Sequence, residues 1–440
     1  MATRLTIASP AAAPPVVIIL RAGDMPTGGD GLPIIGLGIA VTDGNGQPAF
    51  TGLLDGGAIS DGFVWHDDTL IWRASEVQGT MPAAASPLMG AGDNGQFVFQ
   101  TVVDGLDSVW SHHGLLLQKQ QAAPGMDEGA QIEISRFTTM TPAGIAYWIS
   151  EFRDGKGAKG KGRVLYRSPD GEPEATEIVL RSDDLVGGLP IDRPYGLDLN
   201  YQVSDNEQHL VQVMQLETGS DDDDGVLYVD GGIALREGDT ASEEEIWERF
   251  ARVAINDAGD YLLAATTDAA NTKDVVIAYN GEIVLREGDR VAGLRLASQA
   301  TVLALSIDNS GRAVHMWSTG GFGPEHVLFA CDASRLADSV LLLSTTKPLD
   351  LGPLDHRVGI DRFNNTGHGQ ALWLADDDRL FVAFDLVDGS DPAGTEPKQA
   401  ILSVLLPACP FEPSTVSDDE ASIEAQRADT EEASEPNNGL

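Results

Sequence analysis

Cysteine is scarce in this chain, with two residues in 440, Cys331 and Cys409. Two thiols cannot build the disulfide framework of a small secreted domain, and their spacing excludes a CxxC zinc or redox motif. Two states remain open for them. They form a single bridge if the ends of a closed fold bring Cys409 close to Cys331, or they are buried free thiols if the protein stays inside a cell.

Long apolar runs are also missing. No window of 18 or more apolar residues occurs in the sequence, so no membrane-spanning helix is expected. Residues 1–15 carry one Arg and an Ala/Pro-rich run, without the apolar core of a signal peptide. The sequence therefore shows no clear signal peptide, and a removed signal, another export route and a cytoplasmic location all stay open.

Positive charge is the third deficit. The 28 Lys and Arg residues face 68 Asp and Glu residues, which gives a formal net charge of −40 and a pI near 4.2. Such a chain repels nucleic-acid phosphates and anionic lipids, so we expect no nucleic-acid partner and no membrane insertion. The charge suits either a protein of salty water or a soluble protein kept monomeric by self-repulsion, and we expect a monomer.

A degenerate repeat of roughly 50 residues fills most of the chain. Its mark is a turn of Asp, Asn and Gly followed by an alternating apolar stretch, and the copies lie at intervals of 49 to 63 residues. Asp, Asn and Gly tolerate the positive φ of a tight turn between antiparallel strands. The seven copies are Asp43–Gly46, Asp93–Gly95, Pro142–Gly144, Asp205–Glu207, Asn256–Gly259, Asp308–Gly311 and Asn364–Gly367.

A second signature follows the turns, with Leu-Arg and a nearby Asp near residues 20, 180, 235 and 285. The clearest unit contains four predicted strands, listed as 251–255, 260–266, 274–279 and 282–286. Seven units of four short antiparallel strands indicate an all-β, seven-bladed β-propeller over residues 16–407, closed near the chain termini. A sandwich or a β-helix fits this period less well.

Two arrangements of the closing blade remain open. In one, 365–367 is the turn and 400–406 is the last strand of the blade. In the other, Asp376–Asp378 is the turn, 380–384 and 400–406 are the second and third strands, and 16–20 supplies the fourth. The second is favoured slightly because it removes a sheet edge. Residues 1–15 are then an N-terminal extension, and 408–440 an acidic tail expected to be disordered.

The segments Asn45–Phe50 (NGQPAF) and Asn256–Leu263 (NDAGDYLL), with the neighbouring LREGD segments, resemble a family of bacterial tandem-repeat proteins named for an NxxGxxAF motif. The resemblance covers roughly residues 16–407. It implies a β-propeller-like fold and an extracellular or cell-surface location. The family has no assigned activity and supplies no catalytic residues to carry over. This chain departs from it by ending in an acidic tail without an apolar anchor.

The candidate sites are features that break the repeat. Two loops join second to third strands in adjacent blades, one basic and one acidic, and their opposite charges could meet or the acidic run could take a cation. Their residues form our candidate binding site: Lys156, Lys159, Lys161, Arg163, Asp221, Asp222, Asp223 and Asp224. The competing interpretation is that both are flexible solvated loops.

Other motifs indicate structure rather than chemistry. The Asx turns lack the ligand spacing of calcium loops, so we expect no cofactor, with calcium as the alternative. The Arg and Asp of the LREGD segments are expected to join neighbouring blades. The histidines, of which only His112 and His113 are adjacent, show no HxH or HxxxH metal pair. Asp308, Gly311 and Trp317 echo a sialidase Asp-box at the wrong spacing.

No nucleophile elbow, Walker loop or dinucleotide motif occurs, and no catalytic residue is assigned. The sequence therefore favours a non-enzymatic binding or cell-surface propeller whose ligand is a glycan, a protein or an envelope component. Two alternatives stay open: a polysaccharide-acting hydrolase or lyase with a carboxylate site on the loop face, and a purely structural module of a surface assembly.

Overall fold

A computed structural model describes residues 16–56, 61–77, 89–154, 160–194, 196–220, 222–319, 325–347, 349, 358–363, 372–388 and 398–407. Within these ranges the chain is all-β, and its helical turns are short 3-10 segments of three to six residues. Among the described residues, no helix is long and apolar enough to cross a membrane. The residues 1–15 and 408–440, assigned above as extension and tail, lie outside the described part.

The chain forms a seven-bladed β-propeller of antiparallel blades, as the repeat predicts. The strands of the first three blades are as follows. Blade 1 has β2 (Ile34–Leu37), β3 (Val41–Thr42), β4 (Pro48–Leu54), β5 (Asp61–His66) and β6 (Thr69–Arg73); blade 2 has β7 (Met89–Ala91), β8 (Phe97–Val103), β9 (Leu106–Ser111) and β10 (Gly114–Gln118); blade 3 has β11 (Gln131–Met140), β12 (Ala146–Arg153), β13 (Lys161–Ser168) and β14 (Glu177–Arg181).

The next three blades follow the same order, with short hairpins between blades. The hairpins are β15 (Leu185–Val186) with β16 (Leu189–Pro190), and β26 (Arg290–Val291) with β27 (Leu294–Arg295). Blade 4 has β17 (Leu197–Val203), β18 (Leu210–Gln215), β19 (Gly225–Val229) and β20 (Gly232–Arg236); blade 5 has β21 (Thr240–Ser242), β22 (Glu245–Ile255), β23 (Tyr261–Thr267), β24 (Val275–Tyr279) and β25 (Glu282–Arg286); blade 6 has β28 (Thr301–Ile307), β29 (Arg312–Ser318), β30 (His326–Asp332) and β31 (Val340–Ser344).

Blade 7 is built from both ends of the chain. It contains β32 (Val358–Phe363), β33 (Leu372–Leu374), β34 (Arg379–Asp388), β35 (Lys398–Leu405) and, as its outermost strand, β1 (Val16–Arg21). Strand β1 pairs antiparallel with β35, with Val16 opposite Val404. The second arrangement of the closing blade is therefore confirmed and the first is wrong. The turn of this blade is at 375–379, and 364–367 lies outside the described residues.

The hydrophobic core lies between neighbouring blades. Trp317 and Phe329 of blade 6, both fully buried, share a cluster with Leu262 and Ile277 of blade 5. The other clusters likewise combine residues of different blades. Each blade thus buries its two apolar faces against its neighbours, which explains why the repeat needs a closed ring.

The Arg and Asp of the LREGD-type segments have a local role. The backbone N–H of the Arg donates to the Asp carboxylate three residues later, in the pairs Arg21–Asp24 (2.9 Å), Arg181–Asp184 (2.9 Å) and Arg286–Asp289 (3.0 Å). The prediction that these residues join neighbouring blades is wrong for these three pairs, because each bond lies within one loop. The loop follows the outermost strand and redirects the chain towards the next blade.

Candidate functional site

The turns between first and second strands meet around one end of the central channel. In six of the seven described turns, a backbone N–H of the first residue bonds the carbonyl oxygen four residues later. These turns are Asp43–Gln47, Gly92–Gln96, Thr141–Ile145, Asn256–Asp260, Asp308–Arg312 and Ala375–Arg379. The first strands line the channel of a propeller, so this ring of turns forms a channel mouth.

The turns are joined from blade to blade through their second residues. The N–H of Gly44 donates to Asp93 Oδ1 at 3.0 Å, and the N–H of Asp257 donates to Asn309 Oδ1 at 2.7 Å. The N–H of Asn309 donates in turn to Asp376 Oδ1 at 3.0 Å. The Asx residues of the sequence repeat therefore tie the blades together at the mouth, in addition to making the turns.

The ring is broken between blades 3 and 4. The second residue of the blade 3 turn is Pro142, which has no N–H to donate to Asp205 of the next turn. The blade 4 turn is also one residue longer, since it closes from the N–H of Ser204 to the carbonyl oxygen of His209. Here Thr141 Oγ1 donates instead to Glu207 Oε1 at 2.8 Å. This departure coincides with the copy of the repeat that lacks its glycine.

At this break in the ring of turns, the carboxyl group of Asp205 has an unusual electrostatic environment. Burial among the surrounding blades, together with the negative charges of Asp257, Asp376 and Asp93, raises the pKa of Asp205 to about 7. Asp205 is nevertheless exposed to solvent at the channel mouth, where it lines a cavity of about 230 Å³. The raised pKa therefore depends on the crowding of carboxylates around it as well as on burial.

A larger groove lies beside the same long turn, between blades 3 and 4. Its volume is about 350 Å³. Its apolar part consists of Tyr147, Ile178, Val179, Val203, Leu210 and Tyr228. Its polar part consists of Arg167, Glu207, Gln208, His209 and Asp230. The groove is thus an apolar floor with hydrogen-bonding groups of both charges at its rim.

The charged groups of the groove are held by partners. Nε and Nη2 of Arg167 donate to Glu177 Oε2 at 2.9 and 2.7 Å, and this pairing raises the pKa of Arg167. His209 Nδ1 lies 2.7 Å from Asp230 Oδ2. Burial raises the pKa of both Tyr147 and Tyr228, so their hydroxyl groups are protonated at neutral pH. The groove therefore presents fixed donors and acceptors.

Tyr228 differs from the matching residues of other blades in its exposure. It lies opposite Ile233 in blade 4, at a position that is aromatic in blades 1, 2, 3 and 6 and is Ala278 in blade 5. The matching aromatic residues are Trp65, Trp110, Tyr166 and Phe329. These four are buried, whereas Tyr228 is part-exposed and lines the groove. The aromatic ring thus belongs to the repeated architecture, and its access to the groove distinguishes blade 4 from these four blades.

The predicted basic loop is described only in part. Lys156 and Lys159 lie outside the described residues. Lys161 begins β13, and its Nζ lies 3.4 Å from Glu133 Oε2 of the same blade. Arg163 Nη1 donates to the carbonyl oxygen of Leu197 at 2.8 Å, which links blade 3 to the first strand of blade 4. Lys161 and Arg163 thus make structural contacts.

The predicted acidic run packs against its own blade. Asp221 lies outside the described residues, and Asp222 is exposed. Arg236 Nε donates to the carbonyl oxygen of Asp223 at 2.8 Å. Asp224 lies near Glu237, whose pKa burial raises to about 7, with the charge of Asp224 adding to the increase. The described residues of these two loops lie at the opposite end of the blades from the groove and the channel mouth.

Asp308 and Trp317, two of the residues whose order resembles a sialidase Asp-box, have structural roles. Asp308 Oδ1 accepts hydrogen bonds from the N–H groups of Ser310 and Arg312, so it holds the turn of blade 6. Trp317 is buried, and its Nε1 donates to Nδ1 of His315 at 2.9 Å.

Of the two cysteines, Cys331 is buried in β30, and Cys409 lies outside the described residues.

Comparison of the sequence with protein-family models and with curated proteins gave no match. Among solved structures, the Dos1 propeller matches with a TM-score of 0.38 at 10% identity, covering 85% of this chain and 78% of that one. An α-L-arabinanase of Penicillium chrysogenum, complexed with arabinobiose, matches with a TM-score of 0.35 at 11% identity, covering 71% and 91%.

A subtype N11 neuraminidase-like protein of A/flat-faced bat/Peru/033/2010 (H18N11) matches with a TM-score of 0.35 at 11% identity, covering 90% of this chain and 95% of that one. At these identities and TM-scores, the likenesses carry no information about a ligand or an activity of this chain. The function has to be argued from the groove and the channel mouth.

Proposed function

We propose that this chain is a non-catalytic binding propeller that holds a neutral saccharide in the groove between blades 3 and 4. The observation that carries the proposal is Tyr228, whose part-exposed ring lines a cavity of about 350 Å³, whereas the matching aromatic residues of blades 1, 2, 3 and 6 are buried. Ligand pockets commonly have volumes of roughly 300 to 1,000 Å³. A groove at the lower end of this range suits one or two sugar rings.

The composition of the groove favours a saccharide over a purely apolar ligand. The faces of a sugar ring carry C–H groups, which pack on the negative face of an accessible aromatic ring such as that of Tyr228. The hydroxyl groups at its edge both donate and accept, and Arg167, Glu207 and His209 offer both kinds of partner. A ligand with an apolar face and a polar edge satisfies all of these groups.

The charge of the protein favours a neutral ligand. A net charge of −40 repels anionic saccharides such as uronates and sulfated polymers over distances comparable with the Debye length. Within the groove, Arg167 is already paired with Glu177, so it supplies no uncompensated positive charge to an anion.

Placement of this propeller at a cell surface is also a proposal, supported by the resemblance to NxxGxxAF repeat proteins.

The test is a glycan array probed with the purified chain, followed by isothermal titration with the best-bound neutral oligosaccharide. We expect saturable one-site binding, no released product in chromatography, and a Kd raised about five-fold by Tyr228→Ala, since one aromatic contact contributes about 1 kcal/mol. The matched control is Tyr279→Ala, which removes a half-buried tyrosine from the corresponding strand of blade 5.

Three outcomes would overturn the proposal. Absence of binding to every saccharide would leave the structural-module interpretation. Equal weakening by Tyr228→Ala and Tyr279→Ala would mean that the groove is not the site. Accumulation of shortened product would replace the binding proposal with hydrolysis.

Asp205 is the observation that favours hydrolysis as a second candidate function. A general acid works best when its pKa lies near the working pH, and the pKa of Asp205 is raised to about 7 beside other carboxylates. A hydrolase would lose its turnover in Asp205→Asn while retaining substrate binding. If Asp205→Asn kept both its turnover and its substrate binding, Asp205 would be excluded as the general acid.

A further inference from the structure

We propose that His112, His113 and Asp170 form a Zn²⁺ site between blades 2 and 3, with Glu172 beside it. His112 and His113 are the two central residues of the turn between β9 and β10, since Gly114 lies opposite Ser111. Asp170 and Glu172 belong to the turn between β13 and β14 of the next blade. The four side chains lie at the same end of their blades as the groove, but in a separate place.

The distances between the ligand atoms match those around a tetrahedral zinc ion. Nε2 of His112 lies 3.4 Å from Asp170 Oδ1, and Nε2 of His113 lies 3.2 Å from Asp170 Oδ2 and 3.5 Å from Glu172 Oε1. Bonds of about 2.0 to 2.1 Å in a tetrahedron place neighbouring ligand atoms roughly 3.3 to 3.4 Å apart. The ligand atoms of His112, His113 and Asp170 all lie within 4.8 Å of one another, so these three side chains can reach one zinc ion after adjusting their positions.

The two imidazole rings converge although their residues are adjacent in the chain. Their ring centroids lie 4.1 Å apart, with 41° between the planes, and both Nε2 atoms face the carboxylate of Asp170. Nδ1 of His112 lies 3.5 Å from the carbonyl oxygen of Phe97. A proton on Nδ1 directed at this carbonyl leaves the lone pair of Nε2 for a metal, as in many histidine ligands.

The backbone that carries the ligands is fixed across the blade boundary. The hydroxyl group of Ser111, which is fully buried, donates to the carbonyl oxygen of Gly171 at 2.8 Å. Gly171 has a φ of +63°, and a Cβ there would lie 2.9 Å from the Ser111 Cβ. Only glycine allows the two turns to approach this closely, so the ligands do not depend on flexible loops for their placement.

The set of donors selects the metal. Two imidazole nitrogens and carboxylate oxygens suit zinc and similar divalent transition metals, whereas calcium takes six to eight oxygen ligands. Gln96 Nε2 donates a hydrogen bond to Oδ1 of Asp170, which helps to hold this carboxylate in place. Asp170, Glu172 and His113 are part-exposed, so the ion enters from solvent.

The test is titration of tag-free, chelator-treated full-length chain with ZnCl₂ by isothermal calorimetry. We expect one equivalent to bind, with affinity reduced at least about 10- to 100-fold in each of His113→Ala and Asp170→Asn, since loss of an outer-shell partner alone has an effect of this size. His209→Ala is the matched control, because His209 and Asp230 form a single histidine–carboxylate pair on blade 4. Co²⁺ in place of Zn²⁺ should give the visible absorption of a four-coordinate ion.

Two results would overturn the zinc proposal. One is Zn²⁺ binding no tighter to the parent chain than to the double variant His112→Ala/His113→Ala. The other is loss of binding in His209→Ala with retention in His113→Ala, which would place the ion on blade 4. Circular dichroism of each variant separates loss of a ligand from loss of the fold.

Discussion

Arg379 Nη2 of blade 7 donates a hydrogen bond to the carbonyl oxygen of Gly46 in blade 1, at 3.0 Å and across 333 residues of sequence. A second bond joins the same two blades, from the N–H of Leu37 to Gln399 Oε1 at 2.8 Å. The boundary at which the ring closes is therefore bonded like the others. It differs in one respect, because blade 7 takes its outermost strand from the start of the chain.

Strand β1 should stabilise the propeller through the face that carries Ile18. Ile18 packs against the core between blades 6 and 7, whereas Val17 is 60% exposed. We expect Ile18→Asp to lower the melting temperature substantially, because it places a charge against an apolar core, and Val17→Asp to change the free energy of unfolding by at most about 0.5 kcal/mol. Thermal melts followed by circular dichroism measure both, and equal effects would argue against this pairing.

Asp205 should give a defined pH dependence of stability. Its pKa is raised to about 7 in the folded protein, against about 3.9 in an unfolded chain. Between these values the folded state binds the extra proton, so stability falls as the pH rises from about 4 to 7. Asp205→Asn removes this loss.

The melting temperature of Asp205→Asn, relative to the parent, should therefore increase from pH 4 to pH 7 and stay constant above. Melts in a pH series would show this difference directly. A constant difference across the series would mean that the pKa of Asp205 is ordinary.

The buried ion pair of blade 1 should be sensitive to the loss of one partner. Arg73 and Asp61 are 8% and 6% exposed, and Nη2 of Arg73 lies 2.8 Å from Asp61 Oδ2. We expect Asp61→Ala to cost about 3 to 5 kcal/mol in free energy of unfolding, because it leaves the guanidinium group buried with one fewer partner.

The control for this prediction is Asp338→Ala, which breaks the exposed pair of Asp338 with Arg335. Its expected cost is below about 1 kcal/mol, since water screens such pairs. Denaturant unfolding measures both variants. Similar costs for the two would show that burial does not govern these ion pairs.

The propeller fold could be predicted from the sequence because the turns that reveal it are formed by residues close together in the chain. An Asx turn needs residues only two to four apart, such as Asp308 with Ser310 and Arg312, and the turn chemistry recurs once per blade. The closing blade was harder to predict because Asn364–Gly367 has the composition of a turn, while the actual turn at Asp376–Asp378 lacks glycine. Only the pairing of β1 with β35 distinguishes the two.

The sites were less accessible because they join different blades. The groove combines Tyr147 and Arg167 of blade 3 with Tyr228 of blade 4, and no motif in the sequence links these positions. His112 and His113 lie 57 to 58 residues before Asp170, so a search for HxH or HxxxH patterns passes over them. One available signal was the copy of the repeat at Asp205–Glu207, which lacks the glycine of the other six predicted copies and lies in the longer turn.

The saccharide-binding groove can be tested most directly by ¹⁹F NMR of the chain labelled with 3-fluorotyrosine at its seven tyrosines, titrated with a neutral oligosaccharide that it binds. The signals of Tyr147 and Tyr228, assigned through single Tyr→Phe variants, should shift saturably with one common Kd, and that of Tyr279 should stay unchanged. Saturable binding that leaves Tyr147 and Tyr228 unshifted would contradict the proposal.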